Sequence, residues 1–216
     1  MTMKSVIGGG LLAVMLSGMT VSAAPEPRPL DPLFRAEASE TRAALLIQDG
    51  KIIEKRYAPG YSDANRFISW SMAKTVTAVL IGELVADGRL QLDAPVPFAE
   101  WQAPGDPRRK ITLRQMLNMA SGLSHTEVGD PVYASDTNQI LFVGGTQAMA
   151  KAAIAKPLEA APGSKFEYSS MTSLLLAELI TRQLTDSKDP RVRAQAYRRF
   201  AEERLFRPAA ITSAVL

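Results

Sequence analysis

Between Arg66 and Glu83 the chain runs Phe67-Ile68-Ser69-Trp70-Ser71-Met72-Ala73-Lys74-Thr75-Val76-Thr77-Ala78-Val79-Leu80-Ile81-Gly82, with Lys74 as its only charged residue. No other stretch constrains the fold as strongly. It reads as a helix that starts near Ser71 and continues to Asp87, where Gly88 stops it. Apolar side chains fall on nearly every face, the pattern of a central, buried helix. An ammonium in such surroundings is costly unless it is paired or gives up its proton. Ser71 lies three residues before Lys74, so hydroxyl and amine share one face, a turn apart. A serine hydroxyl becomes a useful nucleophile when a base takes its proton, and a lysine desolvated by apolar neighbours can be that base. The plainer reading of the same residues is a solvent-facing stripe of Ser71, Lys74, Thr75, Ala78 and Gly82, because Ser-x-x-Lys alone is a common spacing.

Composition narrows the remaining choices. The first residues have the layout of a secretory signal: Lys4, a largely apolar core from Val6 to Val21, and a small-residue site at Val21-Ser22-Ala23. Cleavage is expected after Ala23, leaving residues 24–216 as one domain in a bacterial periplasmic or secreted protein. The apolar core is short and interrupted by glycine, which argues against a stable membrane anchor after cleavage. There is no cysteine, hence no disulfide and no lipid-attachment site. Loss of Lys4 takes the formal charge from +3 to +2, too small a surplus to imply nucleic acid or a membrane surface. The basic cluster Arg191, Arg193, Arg198, Arg199 and Arg204 is interleaved by Glu202 and Glu203 and reads as the solvated face of a helix. With one histidine, His125, a metal site of the usual zinc kind is excluded, and no other cofactor is implied. No Gly-x-Ser-x-Gly elbow exists for a Ser-His-Asp triad, and His125 is expected to be an ordinary exposed side chain.

Two strands precede the central helix, Ala43 to Gln48 and Lys51 to Tyr57, joined by the Asp49-Gly50 turn. Thr112 caps a helix expected to reach Met119, with Leu113, Met116, Leu117 and Met119 as its apolar stripe. A loop from His125 to about Asp136 holds Tyr133. Residues 146–156 form an alanine-rich helix ended by Pro157. After the Pro162-Gly163-Ser164 turn and the extended Lys165 to Tyr168, Ser169-Ser170 cap a helix from about Met171 to Leu184. A last amphipathic helix covers roughly Arg191 to Leu205.

Three blocks in this order resemble the serine β-lactamase and penicillin-binding-protein superfamily, and within it the esterase-like group containing 6-aminohexanoate-dimer hydrolases. They are Ile68-Ser69-Trp70-Ser71-Met72-Ala73-Lys74-Thr75, then Ile111-Thr112-Leu113-Arg114-Gln115-Met116-Leu117-Asn118-Met119-Ala120-Ser121-Gly122-Leu123, then Lys156-Pro157-Leu158 with Pro162-Gly163-Ser164 and Phe166-Glu167-Tyr168-Ser169-Ser170. The resemblance implies an α+β fold of the three-layer α/β kind, an antiparallel sheet with a helical subdomain. It implies acyl transfer on a small ester or amide, with Ser71 as nucleophile, Lys74 as base and Tyr168 as the second proton-transfer group. Ser170 and Tyr133 would contact substrate.

Two departures qualify that expectation. Ser170 stands where the β-lactamase branch has the asparagine of Tyr-x-Asn, which leans towards esters or small amides rather than β-lactams. The family's further sheet strands, and its third motif of Lys-Thr-Gly type, have no counterpart after Tyr168. The sequence is therefore expected to be C-terminally incomplete, lacking the strands that wall the cleft and supply an oxyanion donor. Two other readings stay open: a non-catalytic remnant or binding module of the same fold, and a penicillin-binding D-alanyl peptidase.

Overall fold

The computed structural model describes residues 27–35, 40–144 and 146–216, so the expected signal segment lies outside the described residues. The described residues divide into two compact units, one ending at Asn65 and one running from Arg66 to Leu216.

The first unit holds a short helix, α1 (Pro32–Arg35), and a hairpin of β1 (Ala43–Gln48) and β2 (Lys51–Tyr57). Asp49 and Gly50 both take positive φ, 49° and 74°, the turn whose twist matches that of paired strands. Asp31 ties the unit together by accepting from Arg56 Nη1 at 2.5 Å and Arg35 Nη2 at 2.6 Å. Among the described residues these two strands are the whole sheet. Leu45, Ile47, Ile52 and Ile53 remain more than half exposed along it.

In the second unit a 3₁₀ turn, Trp70–Met72, leads into α2 (Ala73–Ala86), and Gly88 ends it at φ 71°. The other helices are α3 (Leu113–Leu117), α4 (Asp136–Asn138), α5 (Thr146–Ile154), α6 (Ser170–Leu184) and α7 (Pro190–Ala201). Five-residue π turns, Gln139–Val143 and Glu202–Phe206, follow α4 and α7. The caps carry the expected chemistry. Thr112 and Gln115 form a reciprocal capping box on α3, and Ser169 Oγ accepts from Thr172 N at 3.1 Å on α6. α3 is shorter than the apolar stripe predicts. It ends at Leu117, and Met119 turns back at φ 55° to carry the chain into Ser121-Gly122.

The core lies between α6, the C-terminal turns of α2, α3 and the segment through Trp101. α2 departs from the expected buried helix. Only Leu80, Ile81 and Leu84 are buried, while Met72, Ala73 and Thr75 are exposed. The reason is coverage: α6 and the Glu202–Phe206 turn pack on α2, and the buried residues all fall in its C-terminal half. Arg204 reinforces that end, reaching Glu83 Oε2 at 2.7 Å and Asp87 Oδ2 at 2.7 Å.

Trp101 is fully buried, edge-on to Phe98 at 4.9 Å, and its indole N–H donates to the Ile154 carbonyl at 2.9 Å. Trp101→Ala is expected to cost about 3–5 kcal/mol of stability, from lost burial and the cavity left behind; the Ile154 carbonyl keeps a partner in Arg108 Nη1 at 2.9 Å. Denaturant unfolding measures this directly; a loss below about 1 kcal/mol would show that Trp101 is not central to the core.

Candidate active site

Trp70 has φ 45°, in the left-handed region that bulky residues seldom occupy. That turn precedes Ser71, which begins the approach to α2. Lys74 follows one helical turn on and donates from Nζ to Ser71 Oγ at 3.2 Å. Lys74 is half-buried and Ser71 exposed, so the amine sits at a rim and not among hydrocarbon on every side as the sequence predicts.

Tyr168, 97 positions further along the chain, reaches Ser71 from the segment that leads into α6. The strand-like segment before α6 is pinned by Glu167 N donating to the Met119 carbonyl at 2.8 Å and Gly163 N to the Ala120 carbonyl at 2.8 Å. Gly122 permits the crossing: at φ 76° a Cβ there would collide with the Ala160 carbonyl. The phenol of Tyr168 donates to Ser71 Oγ at 2.6 Å, and Lys74 Nζ lies 4.8 Å over the Tyr168 ring. Hydrogen bonding to Lys74 and then to Ser71 lowers the Tyr168 pKa below the usual tyrosine value, against the opposing effects of burial and the Glu127 charge.

Ser170, at the first position of α6, accepts from Lys74 Nζ at 3.2 Å. Its hydroxyl donates to Glu127 Oε1 at 2.7 Å and its backbone N–H to Glu127 Oε2 at 2.8 Å. Ser71, Lys74, Tyr168 and Ser170 are thus brought together. Tyr133 is 68 % exposed and does not line the neighbouring cavity, whereas Val132 and Ser135 beside it do.

His125 overturns its expected exposure. Its side chain is 1 % exposed, with Nε2 at 2.6 Å from Glu127 Oε2 and Nδ1 at 3.8 Å from Asp136 Oδ2. The reason is the folding of the loop on itself: Asp136 N donates to the Thr126 carbonyl at 2.9 Å and Thr126 N to Asp136 Oδ2 at 2.8 Å. Lys156 Nζ meets the same Asp136 at 2.6 Å. Glu127 is the site residue that sequence reading misses. Its one signal is the His125-Thr126-Glu127 spacing, which puts two polar side chains on one side of an extended segment. Among the described residues no cluster of potential metal ligands occurs.

A cavity of about 630 Å³ opens beside Ser71 and Lys74, walled by Trp70, Val132, Leu141, Phe142, Leu174 and Ala177. A hydroxyl held by an amine and a phenol at the mouth of an apolar cavity is an arrangement that can attack an electrophilic carbon.

The chain belongs to the β-lactamase family, whose model matches residues 33–216. Solved structures show the same fold. A Bacillus anthracis protein named as a 6-aminohexanoate-dimer hydrolase is 21% identical with a TM-score of 0.53, over 71% of this chain and 41% of its own. A Bacteroides dorei protein named as a β-lactamase is 21% identical with a TM-score of 0.55, over 79% of this chain and 46% of its own. A D-stereospecific amidohydrolase from a Streptomyces species is 25% identical with a TM-score of 0.51, over 73% and 46%. The chain therefore spans less than half the length of each of these structures.

Proposed function

We propose that the protein is a serine hydrolase that cleaves esters or small amides through an acyl-enzyme on Ser71. One observation carries the reading: Ser71 Oγ is within hydrogen-bond reach of both Lys74 Nζ and Tyr168 OH. With one proton removed from the Lys74–Tyr168 pair, the pair becomes an acceptor for the Ser71 proton. Oγ then attacks the carbonyl carbon, and the proton stays with the pair. As the bond to the leaving alcohol or amine breaks, Tyr168 returns that proton to the leaving group. Water enters by the reverse transfers, releasing the acid and restoring Ser71. The cavity wall favours a neutral, apolar group on the substrate. Lys74 is the only cationic residue among the described residues that line it, and the proposed chemistry already employs it.

A labelled phosphonate tests the assignment. Intact mass is expected to rise by one adduct in the wild type and not in Ser71→Ala; equal labelling of both would remove Ser71 from the chemistry. Penicillin adducts that accumulate without turnover would shift the reading to a D-alanyl peptidase.

The exposure of Ile68, Trp70, Met72 and Phe166, each above two-thirds, favours a second reading, a binding module of the same fold that does not turn over. Absence of any adduct on a folded wild type would select it. A periplasmic or secreted location is proposed on the leader sequence alone; among the described residues no helix is long and apolar enough to cross a membrane.

A further inference from the structure

Glu127 has no part in the chemistry set out above, yet four donors converge on its carboxylate. Ser170 Oγ donates to Oε1 at 2.7 Å. Oε2 takes the Ser170 N–H at 2.8 Å, Thr137 Oγ1 at 3.0 Å and His125 Nε2 at 2.6 Å. His125 must carry its proton on Nε2 to make that contact, since a carboxylate can only accept. Burial alone would raise the Glu127 pKa, but the hydrogen bonds from Ser170, His125 and Thr137 outweigh it and keep the group an acceptor.

A serine hydroxyl has one proton to give. At Ser170 that proton goes to Glu127, so towards Lys74 Nζ, 3.2 Å away, Oγ can only accept. Lys74 must therefore turn an N–H to Ser170. Nζ also stands 3.2 Å from Ser71 Oγ and 4.8 Å from the Tyr168 ring centroid, and these contacts together fix the direction of the amine.

From this geometry we infer that Glu127 is a positioning residue: by taking the Ser170 proton it makes Ser170 an obligate acceptor and aims the Lys74 amine at Ser71. His125 and Thr137 are its struts. The inference rests on the reading of Ser71, Lys74 and Tyr168 as the reacting groups, and it gives the serine in the Tyr168-Ser169-Ser170 motif a specific task. One hydroxyl with its proton assigned elsewhere presents a lone pair to the amine, as the oxygen of an amide side chain would.

Glu127→Gln is the informative substitution. Three donors converge on the Oε2 position, so the amide oxygen is drawn there and the NH₂ is left facing Ser170 Oγ. That NH₂ donates, the Ser170 hydroxyl turns away from residue 127, and its proton points at Lys74. Shape is kept and hydrogen-bond direction is reversed.

The test uses the full chain in four forms: wild type, Glu127→Gln, Ser170→Ala and the double variant. The first measurement is the rate of phosphonate labelling of Ser71. Glu127→Gln is expected to slow it about tenfold, the equivalent of one hydrogen bond, yet to add almost nothing in the Ser170→Ala background. The second needs no reaction: exchange of the Lys74 ammonium protons with water, followed by ¹⁵N NMR below neutral pH. Exchange should quicken several-fold in Glu127→Gln and in Ser170→Ala alike, and no further in the double variant. An equal slowing of labelling in both backgrounds, or unchanged Lys74 exchange in Glu127→Gln, overturns the inference. If the wild type takes no label, the hydrolase reading fails while the exchange measurement still decides the role of Glu127. Should Glu127→Gln not fold, Ser170→Ala decides it, because unchanged Lys74 exchange there removes the link through which Glu127 acts.

Discussion

A Lys74→Arg variant is expected to fold as the wild type does and to acylate Ser71 about a thousandfold more slowly. The guanidinium keeps the positive charge, can still donate to Ser71 and Ser170, and can still lie over the Tyr168 ring, where Lys74 Nζ now sits 4.8 Å from the centroid. What it cannot do is release a proton near neutral pH. The substitution therefore separates two tasks that lysine performs together, electrostatic support and proton transfer. Lys74 is half-buried and Nζ makes two hydrogen bonds to neutral hydroxyls, so the exchange of cation for cation leaves no buried charge unpaired. Labelling kinetics with a phosphonate and a chromogenic ester measure the effect. A rate within a few-fold of wild type, in a variant with an unchanged melting temperature, would show that Lys74 does not move the proton.

Tyr168→Phe is the second large effect expected, a loss of about a hundredfold or more in turnover. It removes the hydroxyl that donates to Ser71 Oγ at 2.6 Å and keeps the ring beside Lys74. In the proposed cycle the phenol returns the proton to the leaving group, so substrates whose leaving groups need protonation should suffer most. Esters of acidic phenols should suffer least, and equal losses for both classes would contradict that role. The pH dependence follows from the same geometry. Hydrogen bonds to Lys74 and then to Ser71 lower the Tyr168 pKa, so its phenolate forms at lower pH than an ordinary tyrosine's. A rate that depends on the deprotonated pair should rise through that lowered pKa. Replacing Lys74 by methionine should move the phenol's titration upwards, whereas Lys74→Arg should leave it depressed; phenolate absorbance in the near ultraviolet, with Tyr168→Phe as the blank, distinguishes the two.

The stability of the unit and the integrity of the site are separable. Trp101 is fully buried between Phe98 and α5, whereas Ser71 and Tyr168 lie on an exposed rim. Substitutions at the rim should change reaction rates with small effects on unfolding, and substitutions in the core the reverse.

Much of this was legible in the residues. Asp49-Gly50 announced the hairpin, Thr112 the start of α3, Ser169 the start of α6 and Gly88 the end of α2, because each is a local device complete within a few residues. The Ser71–Lys74 contact belongs to the same class, since helical periodicity sets a three-residue spacing on one face. Other expectations failed for a reason that no local pattern contains. α2 was expected to be buried throughout, but burial depends on what packs against it, and its buried residues lie only in the C-terminal half. His125 was expected in solvent, but the loop closes on itself through Thr126 and Asp136 and carries the imidazole inside. Glu127 carries no local pattern that names its partner, because Ser170 stands 43 positions away.

The amino-acid order alone settled the hairpin, the caps at Thr112 and Ser169, the stop at Gly88 and the hydroxyl–amine pair on one helical turn, since those depend on backbone geometry and neighbours within a turn or two. Tertiary structure alone decided that a phenol 97 positions from Ser71 meets its Oγ, and that a carboxylate from the His125–Asp136 loop accepts the Ser170 hydroxyl. A hydrogen bond acts over about 3 Å, so its making rests on where the chain crosses itself. Gly122, the only residue type that fits under the Ala160 carbonyl, is what lets that crossing happen here.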